Sequence, residues 1–389
     1  MAREIVVIGG GLAGLTASIA CAEAGASVTL HEAHSTLGGR GRTTPPPYVA
    51  HEGAHVFYAD GPHWSWLVER DLVGELARIP ARAALVAGFR YGGKLRRRPF
   101  PGLLRMVRDR RRPAPVDRDF ASWAGERYGE EAARAAANAI GVVTFDADTG
   151  RLSAAFVWEL LHRVFAPAPP AVRYVVGGWP TVFDRMAERA RQLGVRIEMN
   201  SRITEIPSTP TIVATELASA RALLGDDSLE WESGRCVMLD LAVRRERGDF
   251  FIVFDADQGG FHECYTMQDP TLAPAGESLF QLDMPIRPGE SRADATARVE
   301  ELADLAVPGW RERTTWKRTA VARGRSGALD LPGRTWRDRP AIVRGGDVFL
   351  AGDMVAAPGM RGEISMNSAV IAAREALHAA GVTTSAARR

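Results

Sequence analysis

The chain has 389 residues, 46% of them hydrophobic, and a formal net charge of +2. That length and apolar content suit one large core or two smaller ones, and the near-neutral balance lacks the bulk charge excess of a nucleic-acid binder. Cys21, Cys236 and Cys264 lie far apart with no Cys-x-x-Cys, which argues against a disulfide framework or a zinc ribbon and fits a reducing compartment. Met1 to Glu4 leads straight into a strand and no run reaches the length of a membrane span, so the expected location is the cytoplasm.

The β-branched run Ile5-Val6-Val7-Ile8 predicts a strand, Gly9-Gly10-Gly11-Leu12-Ala13-Gly14 a tight turn, and the stretch through Glu23 a helix that Gly25 ends. In such a unit the first glycine makes the turn, the second admits a pyrophosphate, and the third lets helix pack on strand. Ser27-Val28-Thr29-Leu30 predicts the next strand, with Glu32 at its end, spaced to accept hydrogen bonds from a ribose diol. A carboxylate there favours an unphosphorylated ribose. Gly9, Gly11, Leu12, Ala13, Gly14 and Glu32 are therefore expected to bind a dinucleotide; up to this point the residues do not separate NAD from FAD.

Leu37-Gly38-Gly39-Arg40-Gly41-Arg42-Thr43 follows closely, and places flexible backbone with Gly39, Arg40 and Arg42 beside the cofactor phosphates. With this segment the chain resembles the FAD-dependent amine oxidase and phytoene desaturase superfamily, whose members carry a Gly-Gly-Arg element just after the ribose-binding acid. The resemblance implies FAD.

His51-Glu52-Gly53-Ala54-His55 then spells His-Glu-x-x-His. A zinc site of that spelling needs both histidines on one face of a helix. Pro45-Pro46-Pro47 before it, Gly53 inside it and Val56-Phe57-Tyr58 after it oppose a helix, and no later helix offers an obvious third ligand, so no metal is expected. In the superfamily the corresponding segment often reads Asp-x-Gly and passes the flavin ring. The resemblance thus implies a flavin-facing turn, with His55 the candidate proton acceptor or orienter at the reacting centre; an ordinary hydrogen-bonded histidine is the plainer alternative.

Farther on, Gly88 to Leu95 nearly spells a phosphate-binding loop, but Leu95 replaces the hydroxyl residue; a hairpin through Gly92-Gly93 is expected instead. No Gly-x-Ser-x-Gly nucleophile motif occurs. Arg96 to Arg112 mixes arginines with an apolar centre, which suits a solvated surface, or contact with an anionic membrane surface or an acidic carrier protein. Trp64, Trp66, Trp158 and Trp179 either line a pocket or pack a core.

Gly177-Gly178-Trp179-Pro180 opens a predicted helix ended by Gly194, followed by strands at Val195 to Met199 and Thr211 to Thr215. The resemblance implies a backbone contact near Ile203 with the adenine. Cys236 to Val243, Phe250 to Asp255, Phe261 to Met267 and Ser278 to Pro285 read as strands of an antiparallel sheet lining a substrate cavity. Near the C-terminus a hydrophobic strand ends in Gly352-Asp353, then Ala357 to Glu363 leads into a helix. In the superfamily that aspartate bonds the ribityl chain and the helix N-terminus faces the pyrimidine end of the ring. This implies Gly352, Asp353 and Met360 as cofactor contacts, although Asn367-Ser368-Ala369 departs from the Ser-Gly common there.

The resemblance covers three blocks of roughly 60, 47 and 45 residues. The expected fold class is α/β, with a Rossmann-type FAD-binding domain assembled from residues 1–60, 171–225 and 336–389. An α+β substrate domain with an antiparallel sheet is expected from 61–170 and 226–335. The expected activity is FAD-dependent two-electron dehydrogenation, a desaturation, of a hydrophobic or aromatic small molecule. Amine oxidation is disfavoured because Gly234 to Leu239 offers arginine or cysteine where amine oxidases of the superfamily hold a lysine. A redox-neutral flavin isomerase and a non-catalytic flavoprotein remain as alternatives, and peripheral membrane attachment through 96–112 stays open beside the cytoplasmic location.

Overall fold

The computed structural model describes residues 4–53, 56–165 and 171–382. A six-stranded sheet is ordered Val343–Gly345, Val348–Leu350, Thr211–Val213, Glu4–Ile8, Ser27–His31, Arg196–Glu198. All of its pairings are parallel except that of the Val343–Gly345 edge. Ile5, Val7, Leu30 and Ile212 are fully buried in it, because parallel strands covered on both faces must be apolar on both. Helix Leu12–Glu23 is apolar nearly all round and packs against helices Trp179–Gln192 and Gly362–Ala379. Buried Cys21 lies at that contact, its Sγ 3.9 Å from the Ala373 carbonyl.

The second sheet has seven strands, ordered Thr314–Ala328, Ser233–Arg244, Glu277–Pro285, Phe261–Cys264, Ile252–Asp255, Ala87–Tyr91, Lys94–Arg96. The expected strands pair antiparallel with one another, but the sheet as a whole is mixed, because Ala87–Tyr91 runs parallel to Ile252–Asp255. The hairpin that turns through Gly92-Gly93 comes from an earlier chain segment, so no tight turn fixes its direction against its new neighbour. Alternation gives the sheet two different faces. Val237, Leu239, Leu241, Phe280, Leu282 and Met284 pack with helix Arg292–Ala306, leaving Cys236, Met238, Asp240, Gln281 and Asp283 on the other face.

Helices Phe120–Tyr128, Glu130–Ala139 and Ala154–Phe165 share a core around Phe120, Trp123 and Trp158. Trp158 meets Trp123 edge-on at 5.0 Å and donates its indole N–H to the Arg112 carbonyl at 3.0 Å. Trp64, Trp66 and Trp179 pack on the first sheet's core, so the four tryptophans serve packing. The Leu103–Arg108 helix buries Leu103 and Met106 and exposes Leu104 among the arginines. No helix among the described residues is long and apolar enough to cross a membrane.

Close backbone approaches join the helical layer to the second sheet. A Cβ on Gly234 would lie 2.2 Å from the Thr144 carbonyl oxygen, and backbone cannot yield as a side-chain tip can. Gly234→Ala is expected to destabilise the chain by about 1–3 kcal/mol, read as a lowered urea midpoint with unchanged slope.

Candidate functional site: a glycine-lined cleft facing an acidic wall

From the Glu4–Ile8 strand the chain proceeds to Ser27–His31 on one side, while Thr211–Val213 lies on the other. The strand order reverses here, and ligands of such sheets bind outside the carboxyl ends of the strands at this switch point. Gly9 turns the chain at φ +106°, and a Cβ there would sit 2.7 Å from the Ala214 carbonyl oxygen. Gly14 lies closer still, its added Cβ falling 1.8 Å from the Gly9 carbonyl oxygen. Gly11 differs: its Cβ would meet only Gly39 Cα at 3.9 Å, and that of Gly39 only Gly11 Cα at 3.4 Å. Two bare backbones thus face each other beside the first turn of the helix, where Leu12 and Ala13 begin it. This is the cradle a pyrophosphate requires.

Glu32 is buried at the end of the second strand. Its Oε2 accepts the Gly10 N–H at 2.8 Å, and its Oε1 accepts the His34 N–H at 2.9 Å and lies 2.6 Å from His34 Nδ1. These bonds aim the carboxylate at the glycine turn and leave each oxygen acceptor capacity. Arg40 and Arg42 do not project freely: Arg40 Nη1 bonds Asp353 Oδ2 at 2.5 Å, and Arg42 Nε donates to the Gly39 carbonyl at 3.0 Å. Gly352 donates its N–H to Ser368 Oγ at 3.0 Å, so the serine of the departing Asn-Ser-Ala tripeptide pins the Gly352-Asp353 turn to the last helix. Met360 donates its N–H to Glu363 Oε2 at 3.1 Å, and Leu12 reaches to within 3.4 Å of where a Gly362 Cβ would stand. Ile203 is half-buried against the first sheet's core.

His55, the proposed catalytic residue, lies outside the described residues. His51 is buried in a bridge with Thr43. Its Nε2 accepts the Trp179 N–H at 3.2 Å, and its ring fills the space left by Gly178, whose added Cβ would lie 2.1 Å from that nitrogen. Burial, helped by the Arg318 charge, pushes its pKa down to about 3. A histidine bonded this way on extended backbone is not a helix-borne zinc ligand, and no cluster of three metal-ligating side chains occurs among the described residues. Purified protein is expected to carry well under one zinc per chain by elemental analysis, with His51→Ala leaving that content unchanged.

Facing the cleft, four strands of the second sheet align Glu263, Gln281, Asp240 and Arg318 in one cross-strand row. The next row on that face holds Phe261, Asp283, Met238 and Ala320. Gln281 Nε2 donates to Asp240 Oδ1 and to the His51 carbonyl, both at 2.8 Å. Arg318 donates to Asp240 Oδ2 at 2.7 Å and to the same carbonyl at 3.0 Å. The row therefore docks on the His51 stretch. Glu263 accepts from the Tyr174 hydroxyl, and burial, against that bond, lifts its pKa to about 7. Asp283 is lifted to about 8 by burial first and Asp240 next, with Arg361 opposing. Arg361, at φ +51°, ties its guanidinium to the Val143 and Val142 carbonyls at 3.0 and 2.7 Å and covers the Phe145 ring. Perturbed buried acids beside a cleft mark functional sites.

Residues 7–70 match the NAD(P)-binding Rossmann-like domain family. No curated protein matches the chain. Among solved structures, an oxidoreductase from Methanosarcina mazei superposes with a TM-score of 0.77 at 16% identity, covering 96% of this chain and 100% of that one. Cyclohexylamine oxidase from Brevibacterium oxydans gives 0.72 at 16% identity, with 96% and 98% covered. Reduced UDP-galactopyranose mutase gives 0.69 at 13% identity, with 98% and 96% covered. This chain has their fold. The expectation of a Rossmann-type α/β fold holds.

Sequence reasoning missed the acidic wall. Asp240 and Asp283 stand in strands rich in apolar residues and Glu263 beside His262 in a fully buried one, and an acid at an inward position of such a strand was the available signal. The chain contains two lysines, Lys94 and Lys317. Lys94 is exposed in the edge hairpin, and Lys317 pairs with Glu300 of the helix on the opposite face, so neither reaches the cleft.

Proposed function

We propose that the cleft binds FAD and that the protein catalyses two-electron dehydrogenation of a hydrophobic or aromatic small molecule, as a flavin-dependent oxidoreductase. The observation that carries this reading is that the bare Gly11–Gly39 backbone contact meets a second element, Gly352-Asp353 and the following helix, through the Arg40–Asp353 bond, more than three hundred residues later in the chain. A cofactor reaching only the first glycine turn would have no use for it. Gly9 to Gly14 would hold the pyrophosphate, Glu32 the ribose, Ile203 the adenine, and Asp353, oriented by Arg40, the ribityl chain. The N-terminus of helix Gly362–Ala379 would face the pyrimidine end of the ring. Bound FAD supplies the hydride acceptor, and the protein supplies orientation and exclusion of water. In this reading residues 1–60, 171–225 and 336–389 form the cofactor domain, and the remainder forms the substrate domain.

Tyr58, Tyr174, Tyr265 and Phe145 would give the substrate side its aromatic surface, with burial holding the Tyr58 hydroxyl up at about 12 and so uncharged. His55 is the candidate proton acceptor. Anaerobic mixing tests the reaction class: lipophilic alkenes or partly reduced rings are expected to bleach the flavin absorbance, whereas bleaching by amines alone would favour the second reading. That second reading, amine oxidation, is supported by the acids on the wall and weakened by the absence of a lysine at the cleft. Arg97, Arg98, Arg108, Arg110 and Arg111 make no ion pair among the described residues, and Leu104 stands exposed among them. An anionic membrane surface would suit this patch and a lipophilic substrate.

A further inference from the structure

The two acids flanking Gln281 in its row are satisfied, and the acid of the neighbouring row is not. Asp240 is held by Arg318 and Gln281, and Glu263 by Tyr174. Asp283 is only 2% exposed, yet its Oδ1 has no hydrogen-bond partner among the described residues. Gln281, equally buried two residues earlier on the same face, leaves its Oε1 without one too. Native proteins seldom bury such atoms unpaired, because each loses its hydration with nothing in return.

Both orphaned atoms are acceptors, and their side chains point to one face about 7 Å apart along the strand. The cations nearby are already engaged: Arg318 on Asp240 and His51, Arg361 on two backbone carbonyls. No described side chain supplies the missing donor, which therefore comes from outside the described residues. Phe261 shares the Asp283 row, and Tyr58 and Arg361 lie at the same end of the cleft, so the surroundings combine aromatic surface with an unpaired carboxyl group that an arriving cation would hold in its ionised form. That combination selects a cation carried on an apolar body.

We propose that Asp283, with Gln281 beside it, is a specificity-determining subsite for a protonated nitrogen on an otherwise hydrophobic or aromatic substrate. The inference deepens the flavoprotein reading and rests on it for the site's purpose, though the subsite is defined by the wall alone. A charge-assisted bond at a buried carboxylate would favour such a ligand over its uncharged isostere about tenfold or more. Met238 stands directly across from Asp283 in register, close enough for a lysine there to place its own ammonium on that carboxylate.

The test titrates the purified holoprotein with three probes of one carbon framework, 4-phenylbutylamine, 4-phenylbutanol and 4-phenylbutyrate, following both the flavin spectrum and thermal stabilisation. The amine is expected to bind at least about tenfold more tightly than the alcohol, with the carboxylate weakest. Asp283→Asn and, independently, Met238→Lys are expected to bring amine and alcohol within about twofold, with FAD content unchanged. Equal binding of amine and alcohol by the unaltered protein would overturn the inference. So would an amine preference that survives either folded variant, or loss of FAD from Asp283→Asn with no change in preference. A colourless protein that still prefers the amine by thermal stabilisation would sink the flavin reading and leave the subsite standing.

Discussion

Gly14→Ala is expected to yield a folded protein that purifies without bound FAD. The added Cβ would lie 1.8 Å from the Gly9 carbonyl oxygen and 3.0 Å from its carbon. Both are backbone atoms of the turn itself, so the start of the helix must move outward by about an ångström or more for ordinary contact to be restored. The placing of Gly11 against Gly39 depends on that helix start, and sites of this kind tolerate displacements of only about 0.5 Å. An overpacking cost of about 1–3 kcal/mol at the binding geometry corresponds to a weakening of roughly 5- to 150-fold. Gly25→Ala is the control: it lies at the far end of the same helix at φ +88° with nothing within 4 Å of an added Cβ. It should cost about 1–2 kcal/mol of stability and retain FAD. Flavin-to-protein ratios and fluorescence titration with FAD measure both. Stoichiometric FAD in Gly14→Ala would mean that the pyrophosphate does not sit at this turn.

The second large effect is a loss of stability toward alkaline pH. Burial raises the folded-state pKa of Glu263 to about 7 and of Asp283 to about 8, above ordinary carboxyl values near 4. The folded chain then holds protons that the unfolded chain releases, so between those limits stability falls as pH rises. The contribution of these acids is complete below about pH 4 and is lost as pH climbs through their folded values; above about pH 8 the curve flattens. Each tenfold displacement of a proton equilibrium is worth about 1.4 kcal/mol, so the two acids together amount to several kcal/mol. Below about pH 6.5 the buried His51, His63 and His262, whose pKa values burial holds down at about 3 to 4, oppose this decline, so urea unfolding at pH 7, 8 and 9 is expected to show it. Asp283→Asn should flatten it and should exceed the unaltered protein in stability at pH 9, because an amide has no charge to bury. Parallel pH profiles for the two proteins would show that Asp283 is ionised in the fold at neutral pH.

The legible parts of the fold are those whose causes are local. Ile5 to Ile8 could be read as a doubly covered parallel strand because burial on both faces demands an unbroken apolar run, and Gly9 to Gly14 because a left-handed turn and a close helix start each demand glycine. The strand Thr314–Ala328 escaped notice for the opposite reason. It is the sheet's edge, and Lys317, Arg318 and Arg323 break any apolar alternation, as edge strands commonly do. The Arg40–Asp353 bond joins residues 313 apart, and no local pattern announces a partner at that distance. The acidic wall was hidden in the same way. Asp240, Glu263 and Asp283 become one surface only when three strands fall into register, and the alternation that places them on a common face does not say what that face meets. His51 to His55 shows the converse: five letters satisfy a metal motif, and the backbone around His51 denies it.

The central claim is that the cleft holds FAD, and the visible spectrum of freshly purified protein, with the released cofactor identified after denaturation, tests it most directly. The account predicts two flavin absorption bands and about one FAD liberated per chain. A colourless protein that binds NAD in preference to FAD, or one that carries a stoichiometric metal instead, would contradict it.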